Sequence, residues 1–287
     1  MDVYDINSQT LNAVYDISGN EIDIGIPSPN VVENAFNHNV YNRNSGNTQG
    51  ACIDDDGNIY EIYFAHGKFI RYNLYTKEVT EFSTFEGNAY GHANDMTFNP
   101  NTGYIYIASM KSTGEIYVID PTDMTLHDTL YAYKADGTTP IAAWNICYDR
   151  VGERFIILYS DNFIYFYDDN FDFIGTETYL VSDWTSTHQG AETDGNYIYT
   201  VTWKGNGGSY PGTINCIHVF TMDGVHVATV TMSDQTSEPE AMCYDWETGL
   251  FYVTLINGNI DFINMKAYNT TAEVESILDR LLLIMQE

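Results

Sequence analysis

Basic residues are scarce in this chain: 11 Lys and Arg stand against 40 Asp and Glu, a formal charge of -29 over 287 residues. Binding nucleic acid through its phosphates needs a basic face, and the sequence has no material for one. The same deficit sets the chain against anionic membrane surfaces. Long apolar runs are missing too, and no stretch reaches the roughly 18 residues that a membrane-spanning helix needs. Met1-Asp2-Val3-Tyr4-Asp5 has neither a basic n-region nor an apolar h-region, so no signal peptide is expected. Cysteine is sparse, at 4, and no Cys/His spacing resembles a zinc site. There is no P-loop, nucleophile elbow or Rossmann fingerprint. An acidic chain of this kind suits a cationic ligand, bound Ca²⁺, or a merely solvated acidic surface.

What the chain does have is aromatic residues and a repeat. It carries 24 Tyr, 14 Phe and 4 Trp. Such content fits β-sheet cores, and it also fits surfaces that stack on sugars. A small polar cluster, a β-type run, an Asp/Gly/Asn turn and a second Tyr-rich run return five times. The copies begin at Gln49-Gly50, Asn94-Asp95, Trp144-Asn145, Gln189-Gly190 and Glu238-Pro239-Glu240. Their spacing of about 44–51 residues is that of a propeller or solenoid. The turns fall at Asp54 to Asn58, Asn99 to Gly103, Asp149 to Gly152, Asp194 to Asn196 and Asp245 to Gly249. The fold expected is all-β: a five-bladed β-propeller with a short N-terminal β segment and a C-terminal α-helix. Cys52, Cys147 and Cys243 hold equivalent places in three copies, with Thr97 and Glu192 in the other two. Symmetry puts those places on different blades, so these thiols are expected free and buried, as is Cys216.

Three regions are expected. Residues 1–30 form an attachment segment, in which Val3-Tyr4-Asp5-Ile6 returns as Val14-Tyr15-Asp16-Ile17 before a Ser18-Gly19-Asn20 turn. Residues 31–268 form the propeller, with Phe36 to Tyr41 supplying an outer strand that completes the last blade. Residues 269–287 form a helix, opened by the capping box Thr270-x-x-Glu273 and carrying Val274, Ile277, Leu281 and Ile284 at seam spacing. A stripe this apolar either packs on the propeller or meets copies of itself.

The innermost strand of each blade lines the channel, so the polar clusters are expected to converge at its mouth. The candidate ligand-binding residues are Gln49, Asn94, Asp95, Trp144, Asn145, His188, Gln189, Glu192, Glu238 and Glu240. Asp95, Glu192 and Glu240 would suit Ca²⁺, which takes oxygen ligands. The same group would equally make a polar plug with no ligand. A third reading uses these carboxylates as the acid and base of glycoside hydrolysis. Trp144, Trp184, Trp203, Tyr90 and Tyr210 lie where they would stack on sugars or pack loops.

The clusters Asn47-Thr48-Gln49-Gly50-Ala51 and His188-Gln189-Gly190-Ala191-Glu192 resemble the five-bladed platform of receptor-binding proteins from tailed phages of Gram-positive bacteria. That module is similar to proteins labelled teichoic acid biosynthesis protein C. The head, Leu11 to Ile22, resembles N-terminal segments of phage tail proteins. The resemblance covers residues 45–266 and 1–26. It implies a non-enzymatic virion component, a homotrimer that binds host cell-wall glycopolymer and joins other tail proteins through its N-terminal segment. The chain lacks the long helical stem and the large tower domain of the fuller pattern.

Overall fold

A computed structural model describes residues 14–15, 21–22, 35–38, 48–63, 68–83, 90–159, 163–179, 187–203, 215–232, 237–256 and 260–263. The head contributes β1 (Val14–Tyr15) and β2 (Glu21–Ile22), an antiparallel pair with Val14 opposite Ile22. β3 (Ala35–His38) follows. Next come β4 (Thr48–Ile53), β5 (Asn58–Tyr63), β6 (Lys68–Asn73) and β7 (Val79–Ser83). The second group is β8 (Asp95–Asn99), β9 (Tyr104–Ala108), β10 (Glu115–Asp120) and β11 (Thr125–Tyr131). The third is β12 (Asn145–Asp149), β13 (Arg154–Leu158), β14 (Phe163–Tyr167) and β15 (Phe173–Tyr179). The fourth is β16 (Thr187–Thr193), β17 (Tyr197–Trp203), β18 (Asn215–Thr221) and β19 (His226–Met232). The last is β20 (Pro239–Asp245), β21 (Leu250–Leu255) and β22 (Ile260–Ile263).

Four blades are thus antiparallel meanders of four consecutive strands. The remaining sheet is a composite, in the order β20-β21-β22-β3. The strand expected from Phe36 to Tyr41 runs instead over Ala35–His38, with His38 opposite Ile260 and Asn37 opposite Asp261. Pairing an early strand with a late one removes a sheet edge and ties the chain into a ring. The first strands of neighbouring sheets lie side by side around the ring, β4 to β8 to β12 to β16 to β20 and back to β4. The arrangement is a β-propeller. The expected C-terminal helix, 269–287, lies outside the described residues, as does most of 1–30.

Alternation along the strands explains the core. Successive side chains point to opposite faces, and both faces of each blade are covered by neighbours. A separate apolar cluster therefore fills each gap between adjacent sheets. One joins Tyr106 and Ile116 to Phe155 and Tyr165, and another joins Tyr199 and Val219 to Met242 and Phe251. Most of the aromatic content sits here. Tyr148, Tyr165, Tyr167, Tyr199, Phe69, Phe155, Phe166, Phe220 and Phe251 are among the largest fully buried side chains. All four cysteines are buried and free.

Much of the acidic content is turn chemistry. Each first strand ends in, or is directly followed by, an Asp or Asn whose side chain accepts from backbone N–H groups just beyond. Asp54 takes Asp56 N and Asn58 N, Asn99 takes Asn101 N, and Asp149 takes Val151 N and Gly152 N. Asp194 takes Asn196 N and Tyr197 N, and Asp245 takes Glu247 N. These Asx turns reverse the chain into the second strand of each sheet.

Close approach of the first strands depends on two glycines. A Cβ on Gly190 would lie 2.6 Å from Ala241 Cα and 2.8 Å from Met242 N. On Gly50 it would lie 2.8 Å from the Asp95 carbonyl carbon. The obstacles are backbone, which cannot swing away. Gly190→Ala is therefore expected to cost about 1–3 kcal/mol, read as a lower urea midpoint with an unchanged slope. A loss of only a few tenths would mean the first strands are not in contact as described.

Candidate functional site

The site is built from the beginnings of the first strands. In three of them the ladder to the second strand breaks register where the polar cluster lies, between Thr48 and Ala51, between His188 and Gly190, and between Pro239 and Ala241. Such bulges re-aim a side chain away from the regular alternation. The residues caught in them are Gln49, Gln189 and Glu240. A fourth device sits just before β8, where Ala93 has φ 53°, a left-handed conformation unusual for a residue with a Cβ. Its carbonyl accepts from Gly50 N at 2.9 Å, so the irregular backbone is pinned to the neighbouring strand.

These residues form a hydrogen-bonded belt. Gln49 Nε2 donates to Glu240 Oε2 at 3.2 Å and to Thr48 O at 3.0 Å. Gln189 Nε2 donates to Glu238 Oε1 at 2.6 Å. Asn94 Nδ2 donates to the carbonyls of Trp144 at 2.9 Å and Gln189 at 3.1 Å. Every four-stranded sheet takes part. Three buried polar side chains in the belt and just beneath it retain atoms with no partner: Gln49 Oε1, Glu240 Oε1, and both Oδ1 and Nδ2 of Asn145. Buried polar atoms are nearly always satisfied by protein or ordered water, so these atoms are open to a bound water or a solute.

Glu240 is 2% exposed, and burial pushes its carboxyl up to about 9, helped by the nearby Glu238 and opposed by the Gln49 hydrogen bond. It therefore stays protonated at neutral pH. Burial also raises Glu238, with the Gln189 hydrogen bond pulling the other way.

Asp95 lies in the same ring of strands but does a different job. Its Oδ2 accepts from Ala191 N at 2.9 Å and Ile146 N at 3.2 Å, and its Oδ1 from Met96 N at 3.1 Å. One carboxyl thus joins β8, β12 and β16, each time through a main-chain amide. Burial drives it up, and the three amides draw it down.

Glu192 stands further along β16. Its carboxyl accepts from Thr193 N at 2.9 Å and Tyr244 N at 3.4 Å, joining β16 to β20. Burial raises it to about 8, against the two amides and the Arg150 charge. Arg150 marks the turn end of the ring. It pairs with Asp55 of the first sheet and lies 5.2 Å from the Trp246 ring centroid. Its guanidinium spans three sheets across the end opposite the belt.

The candidates therefore separate. Gln49, Asn94, Gln189, Glu238 and Glu240 meet in the belt, and Asn145 opens the adjoining β12. Trp144 enters the belt through its carbonyl. Asp95 and Glu192 are engaged by main-chain amides. His188 pairs with Thr202 in its own sheet, and burial together with His218 holds its imidazole well below the ordinary range. Among the described residues no three His, Cys, Asp or Glu side chains group as metal ligands, so Asp95, Glu192 and Glu240 are not one cluster. Of the candidate stacking rings, Tyr90 is buried between Phe69 and Tyr117. Trp144 and Trp203 are half-buried, and Trp184 and Tyr210 lie outside the described residues. Arg150 was not among the candidates. The signal available in the sequence was its rarity, one of 11 basic residues placed in a repeat turn.

No protein-family model matches the chain, and no curated protein matches it. Solved structures do. The glutaminyl cyclase of Myxococcus xanthus superposes with a TM-score of 0.57 at 11% identity, covering 81% of this chain and 94% of its own. A calcium-binding protein, regucalcin, from Agrobacterium tumefaciens C58 gives 0.51 at 10% identity, covering 79% and 92%. At such identities the likeness establishes a shared propeller fold and nothing of the chemistry.

Proposed function

We propose that the belt is a ligand site and that the protein is a hydrolase of the glycosidase or lactonase type, acting through Glu240 and Glu238. One observation carries this reading. Glu240 is a buried carboxyl with one oxygen held by Gln49 and the other unpartnered, two residues from a second carboxyl and in a bulge that re-aims it. Two carboxyls in unequal surroundings supply an acid and a base. Protonated Glu240 donates to the departing or carbonyl oxygen. Glu238 is the more exposed, and the Gln189 N–H favours its ionised form, so it activates water. The fold is compatible with catalysis, since the Myxococcus xanthus protein of this fold is by name an enzyme.

The test is turnover of a panel of 4-nitrophenyl glycosides and small lactones. Glu240→Gln is expected to lower kcat by about 10²–10⁴-fold, with an unchanged circular dichroism spectrum. Activity should fall as pH rises past about 9, where Glu240 loses its proton. No turnover of any substrate, or turnover indifferent to both Glu240→Gln and Glu238→Gln, removes this reading.

A second reading follows from the resemblance to phage receptor-binding platforms: a trimeric tail component of the virion that binds cell-wall glycopolymer without cleaving it. The unpartnered amide oxygens of Gln49 and Asn145 suit sugar hydroxyls. The net charge of -29 opposes an anionic polymer such as teichoic acid. Saturable pull-down on Gram-positive cell walls by a trimer, without turnover, supports this reading, and loss of binding with EDTA places a cation such as Ca²⁺ in the contact. A monomer that ignores cell walls rules it out.

A further inference from the structure

The face that β16–β19 turn toward the neighbouring sheet β12–β15 changes character along its length. At the turn end Ile198 and Phe220 join an apolar cluster with Ile156 and Phe166. Further along, alternation and register place His188, Thr200, Thr202, Cys216 and His218 on that same face. The two preceding sheets are hydrophobic at the matching cross-strand pair. Ile107 stands opposite Tyr117 and Ile157 opposite Tyr165, all buried. Here the pair is Thr200 with His218. Thr200 is 0% exposed, and its Oγ1 has no hydrogen-bond partner. A polar island in a repeat that is otherwise hydrophobic breaks the local rule, and such breaks concentrate at functional sites.

One thiol organises the island. Cys216 Sγ lies 3.4 Å from His218 Nε2, and His218 Nδ1 lies 3.4 Å from His226 Nε2. Cys216 and His218 are two apart on β18, and His226 reaches the same face from β19, where it pairs with Phe220. Thiol, base and orienting group thus stand in line, the arrangement that turns a thiol into a nucleophile. The Thr202 hydroxyl donates to Cys216 O at 3.1 Å and lies equally close to the sulfur, so it can turn to a thiolate when one forms. The other three thiols sit differently. Burial pushes Cys52, Cys147 and Cys243 well up, and the charges of Asp95 and Glu192 push the same way. A thiol kept protonated is a poor nucleophile.

We propose that Cys216 is a peroxide-reactive thiol, with His218 as its base and His226 holding His218 in place. The oxidant is hydrogen peroxide. Cys216 is 2% exposed, which matches an uncharged oxidant little larger than water and disfavours bulky electrophiles. His218 Nε2 takes the thiol proton. The sulfur then attacks one peroxide oxygen, so an S–O bond forms as the O–O bond breaks. The departing hydroxide recovers the proton from His218 and leaves as water. Sulfur gives up an electron pair, peroxide gains it, and the product is a sulfenic acid. The Thr200 hydroxyl, opposite His218, offers the peroxide a hydrogen bond. The other titratable side chains around the thiol are His188 on this face and Cys147, which lies across the gap with Leu158 and Ile164. The site is separate from the Glu238–Glu240 belt and does not rest on the hydrolase reading.

The experiment exposes the reduced full chain to hydrogen peroxide at neutral pH, stops it with catalase at timed intervals, denatures in dimedone, and maps each cysteine by mass spectrometry. Sulfenic acid is expected at Cys216 about 10-fold or more faster than at Cys52, Cys147 or Cys243. The three other thiols are internal controls, so this comparison needs no variant. His218→Gln should slow oxidation of Cys216 by about 10-fold or more and leave the other three unchanged. His226→Phe, which keeps a ring beside Phe220, should slow it several-fold. A merely structural role for these histidines moves the rates the other way, because a loosened gap exposes its thiols. Oxidation of Cys216 no faster than that of the other three overturns the proposal. So does a His218→Gln chain in which Cys216 reacts at the wild-type rate or faster. A His226→Phe chain that reacts at the wild-type rate overturns the part given to His226.

Discussion

Asp95→Ala is expected to remove about 3–6 kcal/mol of folding stability, the largest loss of any single substitution considered for this chain. The carboxyl accepts from Met96 N, Ile146 N and Ala191 N, and so fastens three first strands that lie 51 and 96 positions apart in the chain. Truncation leaves those buried amides without an acceptor, and each orphaned donor costs about 1–3 kcal/mol. The glycines that let neighbouring strands approach leave no side chain able to take over. Asp95→Asn tests the same point more gently. It keeps one acceptor oxygen but turns an N–H₂ toward amide donors, so about half of the loss is expected. Both are read by urea unfolding at fixed pH. If the Ala variant loses less than about 1 kcal/mol, the bonds across the axis contribute little and the ring is held by its apolar clusters alone.

Glu240→Gln is expected to reverse its effect on stability with pH. In the folded chain this carboxyl titrates near 9, well above the 4.5 of an ordinary glutamate, because of burial and the adjacent Glu238. A group raised in this way supports the fold fully below the unfolded value, and that support is lost as pH climbs through the folded value. Between about pH 5 and 9 the folded state holds a proton that the unfolded state has released. Glutamine imitates the protonated acid and still offers an oxygen to Gln49 Nε2. The variant should therefore match the wild type at pH 5 and exceed it by about 4–6 kcal/mol at pH 9. Glu192 is raised to about 8 in the same direction, so it contributes to the wild-type decline and persists in the variant. Unfolding curves at pH 5, 7 and 9 decide the matter. Parallel curves for the two proteins would mean that Glu240 is ionised in the folded state, which would also remove the acid from the proposed mechanism.

The period of the repeat and the Asp/Asn turns were legible in the chain because each is written in local patterning, and the ring-closing strand was legible because the last blade came out one strand short. An Asp or Asn at the end of a first strand bonds amides two to four residues on, whatever the rest of the fold does. Strand alternation likewise marks which residues enter the gaps between sheets. The sequence also pointed to the polar clusters as a convergent set, and Gln49, Asn94, Gln189, Glu238 and Glu240 do meet in one belt. What sequence could not do was rank the carboxyls. Asp95, Glu192 and Glu240 are all carboxylates in or just after a similar polar cluster. Their roles depend on which atoms of other sheets stand opposite: amides of Ile146 and Ala191 for Asp95, the amide of Tyr244 for Glu192, and a single glutamine N–H for Glu240. Those partners come from 51 to 191 positions away. The sequence by itself determined the sheets, their turns and the cluster positions, since these rest on contacts between near neighbours along the chain. Only the tertiary structure decided which carboxyl is consumed as a staple and which is left protonated with one oxygen unpartnered, since hydrogen bonding and desolvation are set by neighbours that the ring alone brings together.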